Sequence, residues 1–239
     1  MNPQLKVILL KEIKEMAGRT DYLVTIIINS IVFIGVSFLA TVTSPNGYIQ
    51  NLWIEMCFIV LPPFAMLLTC LPFVQEKFSN EKLIRNFEAL LTTPVSLKTV
   101  WAGKIASIFF LSYSIVIIVI VTLLITWSIL NGLNPISILS VPVWIVVLFI
   151  SPSLPMIYAG FASWSILRFT HSKLMEILQY FAVGISVMIF LSSGKIIRSI
   201  ATGHLVNWPI VVYSIIGIII GIALVLFLIR RLDKEKVTI

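Results

Sequence analysis

The sequence predicts an all-α membrane protein with six transmembrane helices, and two observations lead to that class. Of the 239 residues, 59% are hydrophobic and only 11% are charged, with a mean hydropathy of +1.07. About a quarter of the residues of an ordinary soluble domain are charged. The charges are also absent from six long apolar runs, each close to the roughly 20 residues with which a helix crosses a bilayer. We therefore expect one membrane domain covering residues 1–239.

The six predicted spans correspond to these apolar runs, of which the fifth is the shortest. None of the runs alternates apolar and polar residues with the period of two that a membrane barrel requires. Helices are then the way in which the backbone satisfies its hydrogen bonds in lipid. The predicted spans are residues 22–42, 53–74, 105–130, 143–167, 177–193 and 208–229.

Two shorter segments outside the spans are also predicted to be helical. Residues 1–20 repeat apolar residues at helical spacing among lysines and glutamates, which predicts an amphipathic interfacial helix lying flat on the inner membrane surface. Its apolar face is predicted to be Leu5, Ile8, Leu9, Ile13 and Met16. Residues 194–207, between the last two spans, are interpreted as a brief interfacial or re-entrant helix.

Lysine and arginine lie almost entirely on one side of the predicted spans. Fifteen of the 17 precede span one, follow span six, or lie in the loops between spans two and three and between spans four and five. The other side holds Lys195 and Arg198. Because basic residues gather in cytoplasmic loops, we predict a multi-pass protein of the cell (plasma) membrane with both termini in the cytoplasm. The same bias explains the net charge of +7, so no nucleic-acid partner is expected.

The sequence contains no motif for catalysis or metal binding. It lacks H-E-x-x-H, a G-x-S-x-G elbow and a phosphate-binding loop, and its two histidines, His171 and His204, are predicted on opposite sides of the membrane. We therefore predict that the chain by itself is not an enzyme and binds no metal or cofactor. Cys57 and Cys70 both fall in span two and are interpreted as packing residues.

Carboxylates and prolines near or within the spans have two interpretations each. Asp21, Glu55 and Glu176 lie within about one turn of a span's end, and we favour interfacial anchors over the mid-membrane carboxylates of an ion-coupled carrier.

For the prolines we favour ordinary kinks, repaired by neighbouring helices and by hydroxyls such as Ser151 and Ser153, over hinges or pathway residues. These prolines are Pro62, Pro63, Pro72, Pro152 and Pro155.

The longest polar stretch is the predicted cytoplasmic loop of residues 75–104. Apolar residues recur there at i, i+1, i+4, i+7 and i+8, which predicts one face of a short amphipathic helix. Ser79-Asn80 is its predicted N-cap, Pro94 ends it, and Ser96 caps a second helix that continues into span three. The apolar face is Leu83, Ile84, Phe87, Leu90 and Leu91. Such a face can pack under the bundle, lie on lipid, or insert into a partner's groove.

This loop, QEKFSNEKLIRNFEALLTTPVSLKTVWAGK, resembles the loop after the second span in permeases of the ABC-2 type, the transmembrane subunits of type V-like ABC exporters. The matching residues are Glu76, Phe87, Glu88, Leu90, Leu91, Thr93, Pro94, Val95, Ser96, Gly103 and Lys104. Arg85 departs from the pattern, since the family often has glycine there. The six-span layout, the N-terminal amphipathic helix and LSSG at residues 191–194 extend the resemblance over the whole chain.

The resemblance implies a permease subunit that forms a translocation pathway as a homo- or heterodimer, near spans one, two and five. Two copies of a separate P-loop ABC ATPase would bind the ATP and drive export. The loop helix would be a coupling helix seated in a cleft of the ATPase, and Thr93-Pro94 would set its angle to span three. The residues expected at this contact are Glu76, Leu83, Phe87, Glu88, Leu90, Leu91, Thr93 and Pro94.

The cargo is constrained only by composition. An apolar interior with scattered hydroxyls and tyrosines, including Tyr113, Tyr158 and Tyr180, favours an antimicrobial peptide, another peptide-like or amphiphilic compound or a lipid-linked compound over an inorganic ion. No substrate-binding residue is assigned. Two alternatives stay open: an ATP-independent carrier or channel, and an immunity-type membrane protein that sequesters a ligand without moving it. A P-loop ATPase that is encoded beside this chain and co-purifies with it would favour the exporter.

Overall fold

In the residues that it describes, the structure of the chain, a computed structural model, contains five helices that are long and apolar enough to cross a membrane, as in a multi-pass membrane protein. It describes residues 3–44, 49–83, 96–132, 135–168, 184 and 205–231. Within these residues all regular secondary structure is helical. The predicted fifth span, 177–193, lies outside this part of the chain apart from the single residue 184, and so does 194–204 of the predicted interfacial or re-entrant helix. The six-span layout therefore stays a prediction.

Nine α-helical segments and two π-helical turns make up the described chain. The α-helices are α1 Pro3–Gly18, α2 Thr20–Val42, α3 Ile49–Val74, α4 Glu81–Leu83, α5 Leu97–Asn131, α6 Pro135–Ile138, α7 Val141–Ile145, α8 Ser151–Arg168 and α9 Trp208–Arg230. The π-helical turns, Gln75–Asn80 and Val146–Ile150, join α3 to α4 and α7 to α8. The second and fourth predicted spans therefore belong to long continuous helices.

Five of the predicted spans lie within the long helices of the structure: 22–42 in α2, 53–74 in α3, 105–130 in α5, 143–167 in the continuous helix from α7 to α8, and 208–229 in α9. At the start of α5, the predicted cap is confirmed, since Ser96 has extended backbone angles and its Oγ accepts a hydrogen bond of 3.2 Å from the amide of Thr99. The predicted N-cap at Ser79-Asn80 is wrong. These residues continue α3 as a π-helical turn, because the buried side chains of Lys77 and Phe78 fix that turn against neighbouring helices.

The helix α3 is the centre of the bundle and packs against α2, α5 and α8. Two apolar clusters surround it. One joins Phe33, Phe58 and Trp127 in the half of the bundle where α3 begins, and the other joins Phe73 and Trp101 near its end. By contrast α2 and α9 are the least buried of the five long helices, and their apolar side chains face outwards.

Glycines allow α8 and α9 to pack closely. A Cβ atom placed on Gly160 would lie 2.8 Å from Val225 Cγ1, and one on Gly221 would lie 2.9 Å from Ile157 Cδ1. Both separations are too short for real carbon atoms, so each helix uses a glycine to accommodate a branched side chain of the other. Small residues at such crossings are typical of helix pairs in membranes.

Hydroxyl groups repair the backbone around the prolines of the fourth predicted span. Pro152 has no amide hydrogen for the carbonyl of Leu148, four residues earlier. That carbonyl accepts a hydrogen bond of 3.0 Å from the hydroxyl of Tyr113 on α5. Ser151 and Ser153 donate to the carbonyls of Val147 and Ile150. The predicted repair by neighbouring helices and hydroxyls is thus confirmed at Pro152. Both cysteines are free and buried, as predicted for packing residues.

Candidate functional site

The first part of the site is α1, whose predicted apolar face contacts α5 rather than remaining free to cover lipid. Met16 is fully buried beside Ser107, and Ile8 lies against Gly103. A Cβ atom on Gly103 would lie 2.6 Å from Ile8 Cγ2, so only glycine permits this approach. Ile8 and Met16 of the predicted apolar face therefore contact α5, which extends beyond the apolar span, and the location of α1 flat on the inner membrane surface stays a prediction.

Lys77 occupies the middle of this contact. It lies in the π-helical turn Gln75–Asn80, and only 1% of its side chain is exposed. Its Nζ lies 3.0 Å from Glu12 Oε2, 2.7 Å from Glu15 Oε1 and 3.8 Å from Glu81 Oε1. The hydrogen bond from Lys77 holds the pKa of Glu15 below its usual value, against the opposing effect of burial. A buried ammonium group is stable only when carboxylates replace its lost hydration, and here α1 supplies two of them.

Lys104 is the second buried cation and joins the same carboxylates from the side of α5. Its Nζ lies 3.1 Å from Glu12 Oε1 and 2.7 Å from Glu81 Oε2. Lys77, Glu12, Lys104 and Glu81 therefore form a closed ring of alternating charge. We call this ring together with Glu15 the ion cluster. It holds α1, the end of α3 and the base of α5 in one arrangement, because loss of one partner would leave a buried charge uncompensated.

A third lysine ties the same segment to α8. The Nζ of Lys82 donates hydrogen bonds of 3.1 Å to the carbonyl oxygens of Ile166 and Leu167 in the last turn of α8. A cation beside the last carbonyl groups of a helix interacts favourably with the helix dipole. Burial lowers the pKa of Lys82. The contact fixes the end of the fourth predicted span to the segment that follows α3.

Glu76 adds a contact with the start of α2. It forms an ion pair with Arg19, which also lies 3.4 Å from Asp21 and 5.3 Å from the ring centroid of Tyr22. Tyr22 is buried and packs edge-to-face on Phe73, with ring centroids 4.7 Å apart. Residues 75–83, which we call the linker helix, are thus bonded to α1, α2, α5 and α8, and a displacement of this helix would act on all four.

Of the eight residues predicted at the coupling contact, the structure describes two. Glu76 pairs with Arg19, and Leu83 is the last residue of α4. The remaining six lie outside the described residues: Phe87, Glu88, Leu90, Leu91, Thr93 and Pro94. The chain is described again from Ser96, the N-cap of α5. The linker helix and the base of α5 therefore flank the predicted coupling helix on both sides.

The ion cluster was not predicted from the sequence, although two residues carried a signal of it. Glu12 lies within the apolar stripe of α1, between Ile8 and Met16 at helical spacing, where a solvated carboxylate is unexpected. Lys104 carries a similar signal, since it begins an apolar run of more than 20 residues. Neither signal by itself identifies the partner. The pairing depends on how α1 crosses α5, which is a tertiary property.

A different buried carboxylate lies at the other end of α3. Glu55 is 1% exposed, and its Oε2 accepts a hydrogen bond of 2.7 Å from the amide of Leu205, three residues before α9 begins. The preferred interpretation as an interfacial anchor is therefore wrong for Glu55, because the approach to α9 covers it. For Asp21, which is exposed beside Arg19, the same interpretation fits.

In the part of the chain that the structure describes, no group of three or more histidine, cysteine, aspartate or glutamate side chains is placed to hold a metal ion. No protein-family model, no curated protein and no solved structure matches this chain.

Proposed function

We propose that this chain is the permease subunit of an ABC exporter of the ABC-2 type, working as a dimer with two separate ATPase subunits. The end of the bundle that carries the ion cluster would face the cytoplasm. The coupling helix within residues 84–94 would sit in a cleft of the ATPase. Motion of that helix would pass through the linker helix on one side and α5 on the other.

The observation that supports this proposal best is the bonding of the linker helix to four neighbouring helices. A loop that only connects two spans needs no buried lysines, and burying charge is costly unless each charge is paired. Lys77, Lys82 and Lys104 are all engaged, by carboxylates or by helix-end carbonyls. Such a rigid junction suits the transfer of force from a partner to the spans. The resemblance of residues 75–104 to ABC-2 permeases supplies the identity of that partner.

The sharpest test is the substitution Leu91→Arg in the predicted coupling helix. The chain would be co-expressed with a P-loop ATPase that co-purifies with it, and the complex would be reconstituted in vesicles. We expect the variant to insert normally, to retain less ATPase on purification, and to lose coupling between ATP hydrolysis and transport, because a charge replaces an apolar anchor. The matched control is Ile136→Arg, at the other end of the bundle. Normal coupled transport by Leu91→Arg would contradict the proposal.

The cargo of this exporter is proposed to be a peptide-like or amphiphilic compound. Stimulation of ATP hydrolysis by a panel of peptides, amphiphilic drugs and lipid-linked compounds would identify the class. Stimulation by none of these, with stimulation by inorganic ions, would contradict the proposed cargo while leaving the exporter itself standing.

An ATP-independent carrier is the second candidate, and Glu55 is the observation that favours it. A buried carboxylate within a membrane-spanning helix is a common feature of proton-coupled carriers. In that case the purified chain would move its substrate in response to a proton gradient with no ATPase subunit present. Transport that requires the ATPase would exclude this candidate.

A further inference from the structure

The helix α1 has a second face, opposite to the one that contacts α5. Val7 and Leu10 lie on it with 67% and 55% of their surface exposed. Lys14 lies between them in the helical projection, and Lys6 and Lys11 flank them on either side; all three lysines are exposed. We call these five residues the outer α1 face. It combines two exposed apolar side chains with three positive charges and has no carboxylate of its own.

The acidic residues of α1 are bonded mainly to buried lysines outside this face, and of the three exposed lysines Lys11 also interacts with Glu15. Glu12 is buried between Lys77 and Lys104, and Glu15 is paired with Lys77. Glu12 is thus directed inwards, Glu15 lies at the exposed edge of the ion cluster, and the three lysines are directed outwards. A helix that needed only solubility would have mixed charges on its exposed side and would not expose valine and leucine among them.

The helix α1 lies next to a helix that is long and apolar enough to cross a membrane. Only Arg19 separates α1 from α2, which is long and apolar enough to span the bilayer. In addition, α1 crosses α5 obliquely: Ile8 lies beside Gly103 and Met16 beside Ser107, so eight residues of α1 cover four of α5. At 1.5 Å per residue these stretches are about 12 Å and 6 Å long, so the axis of α1 is steeply inclined to the axis of α5.

We propose that the outer α1 face docks on anionic phospholipids of the bilayer surface. Val7 and Leu10 enter the boundary between headgroups and acyl chains, while Lys6, Lys11 and Lys14 extend along the surface to the phosphates. The positive charge of the face is complementary to the negative charge of such lipids. Zwitterionic lipids have no net charge and offer no such complementarity. The docking goes beyond the transport proposal and does not depend on it, since any bundle with this α1 would make the same contact.

The test uses the full chain in lipid nanodiscs, so that the outcome is independent of transport. A single cysteine at position 10 (Leu10→Cys) is labelled with a fluorophore, which is selective because Cys57 and Cys70 are buried. Quenching by nitroxide-labelled lipid is compared between discs of phosphatidylcholine and discs that also contain phosphatidylglycerol. We expect quenching at least about threefold stronger with the anionic lipid, since each lysine near an anionic surface strengthens attachment severalfold.

The control variants separate charge from folding. The triple substitution Lys6→Gln, Lys11→Gln, Lys14→Gln is expected to reduce quenching to the level of phosphatidylcholine discs without changing the melting temperature, because these side chains are exposed. Lys98→Gln, which removes an exposed charge from the base of α5, is the matched control and should change neither. Equal quenching in both kinds of disc, or protection of the label by an added protein partner but not by lipid, would overturn the proposal.

Discussion

The hydroxyl of Tyr113 donates a hydrogen bond of 3.0 Å to the carbonyl oxygen of Leu148, the acceptor that Pro152 leaves without its usual helical partner. Tyr113 belongs to α5 and Leu148 to the π-helical turn between α7 and α8. A side chain from one long helix thereby stabilises the irregular backbone of another. Hydrogen bonds of this kind allow prolines within membrane helices, where no water is present to replace a missing amide.

Tyr113→Phe is therefore expected to destabilise the protein although it removes a single oxygen atom. A buried carbonyl that loses its donor costs about 1–3 kcal/mol. The measurement is the melting temperature of the purified protein in detergent. Tyr213→Phe is the matched control, because Tyr213 lies on the exposed side of α9. An unchanged melting temperature for Tyr113→Phe would mean that the fourth predicted span does not depend on this bond.

Gly103→Ala is expected to separate α1 from α5. The new Cβ atom would lie 2.6 Å from Ile8 Cγ2, and overpacking of a close contact costs about 1–3 kcal/mol. Gly217→Ala is the control, since a Cβ atom there meets nothing within 4 Å. Hydrogen exchange of the α1 amides reports the separation directly. Faster exchange confined to α1 is the expected result, and equal exchange in both variants would contradict the close packing of α1 on α5.

Lys104→Met is expected to disrupt the ion cluster. It leaves Glu12 and Glu81 with Lys77 as the remaining cation of the ring, and removal of one partner from a buried ion pair costs about 3–5 kcal/mol. Lys98→Met removes an exposed lysine from the same helix and should be nearly neutral. Melting temperatures test the cost. In the proposed exporter, Lys104→Met should also lower transport per ATP hydrolysed, whereas Lys98→Met should not.

A second substitution tests whether the loss of stability in Lys104→Met is caused by the lost ion pair or by the changed shape of the side chain. If buried charge is the cause, adding Glu81→Gln to Lys104→Met should cost less than the sum of the two single losses, because the two residues interact directly. Additive losses would show that the two residues stabilise the protein independently.

The sequence was sufficient to predict those parts of the fold that depend on local chemistry. Long apolar runs define the spans, and Ser96 begins α5 because its hydroxyl can cap the helix. Each of these two features involves a few neighbouring residues, or a property averaged over a run of about 20 residues. Repair of the kink at Pro152 was predicted in kind, but its donor was not, since Tyr113 lies 35 residues from Leu148 along the chain.

The ion cluster was not predictable in the same way. Glu12 and Lys104 are separated by 92 residues, and their contact requires α1 to cross α5 at Gly103. Glu55 was misinterpreted for the same reason, since the chain that covers it lies 150 residues away. In both cases a charged residue is buried because particular segments of the chain meet. Hydropathy cannot show this, since it indicates only how far a residue lies from the end of an apolar run.

Substitutions of Glu55 distinguish a structural role from proton coupling. Glutamine keeps an oxygen that accepts the hydrogen bond of Leu205 but cannot change charge, whereas leucine removes the acceptor altogether. If Glu55 only holds the approach to α9, Glu55→Gln should transport normally and Glu55→Leu should lose about 1–3 kcal/mol of stability, measured as a lower melting temperature. If Glu55 carries protons, Glu55→Gln should fold normally and fail to transport. We expect the first result, because a carboxylate that accepts a backbone hydrogen bond near the end of a span has a structural use already, and ATP supplies the energy in the proposed exporter.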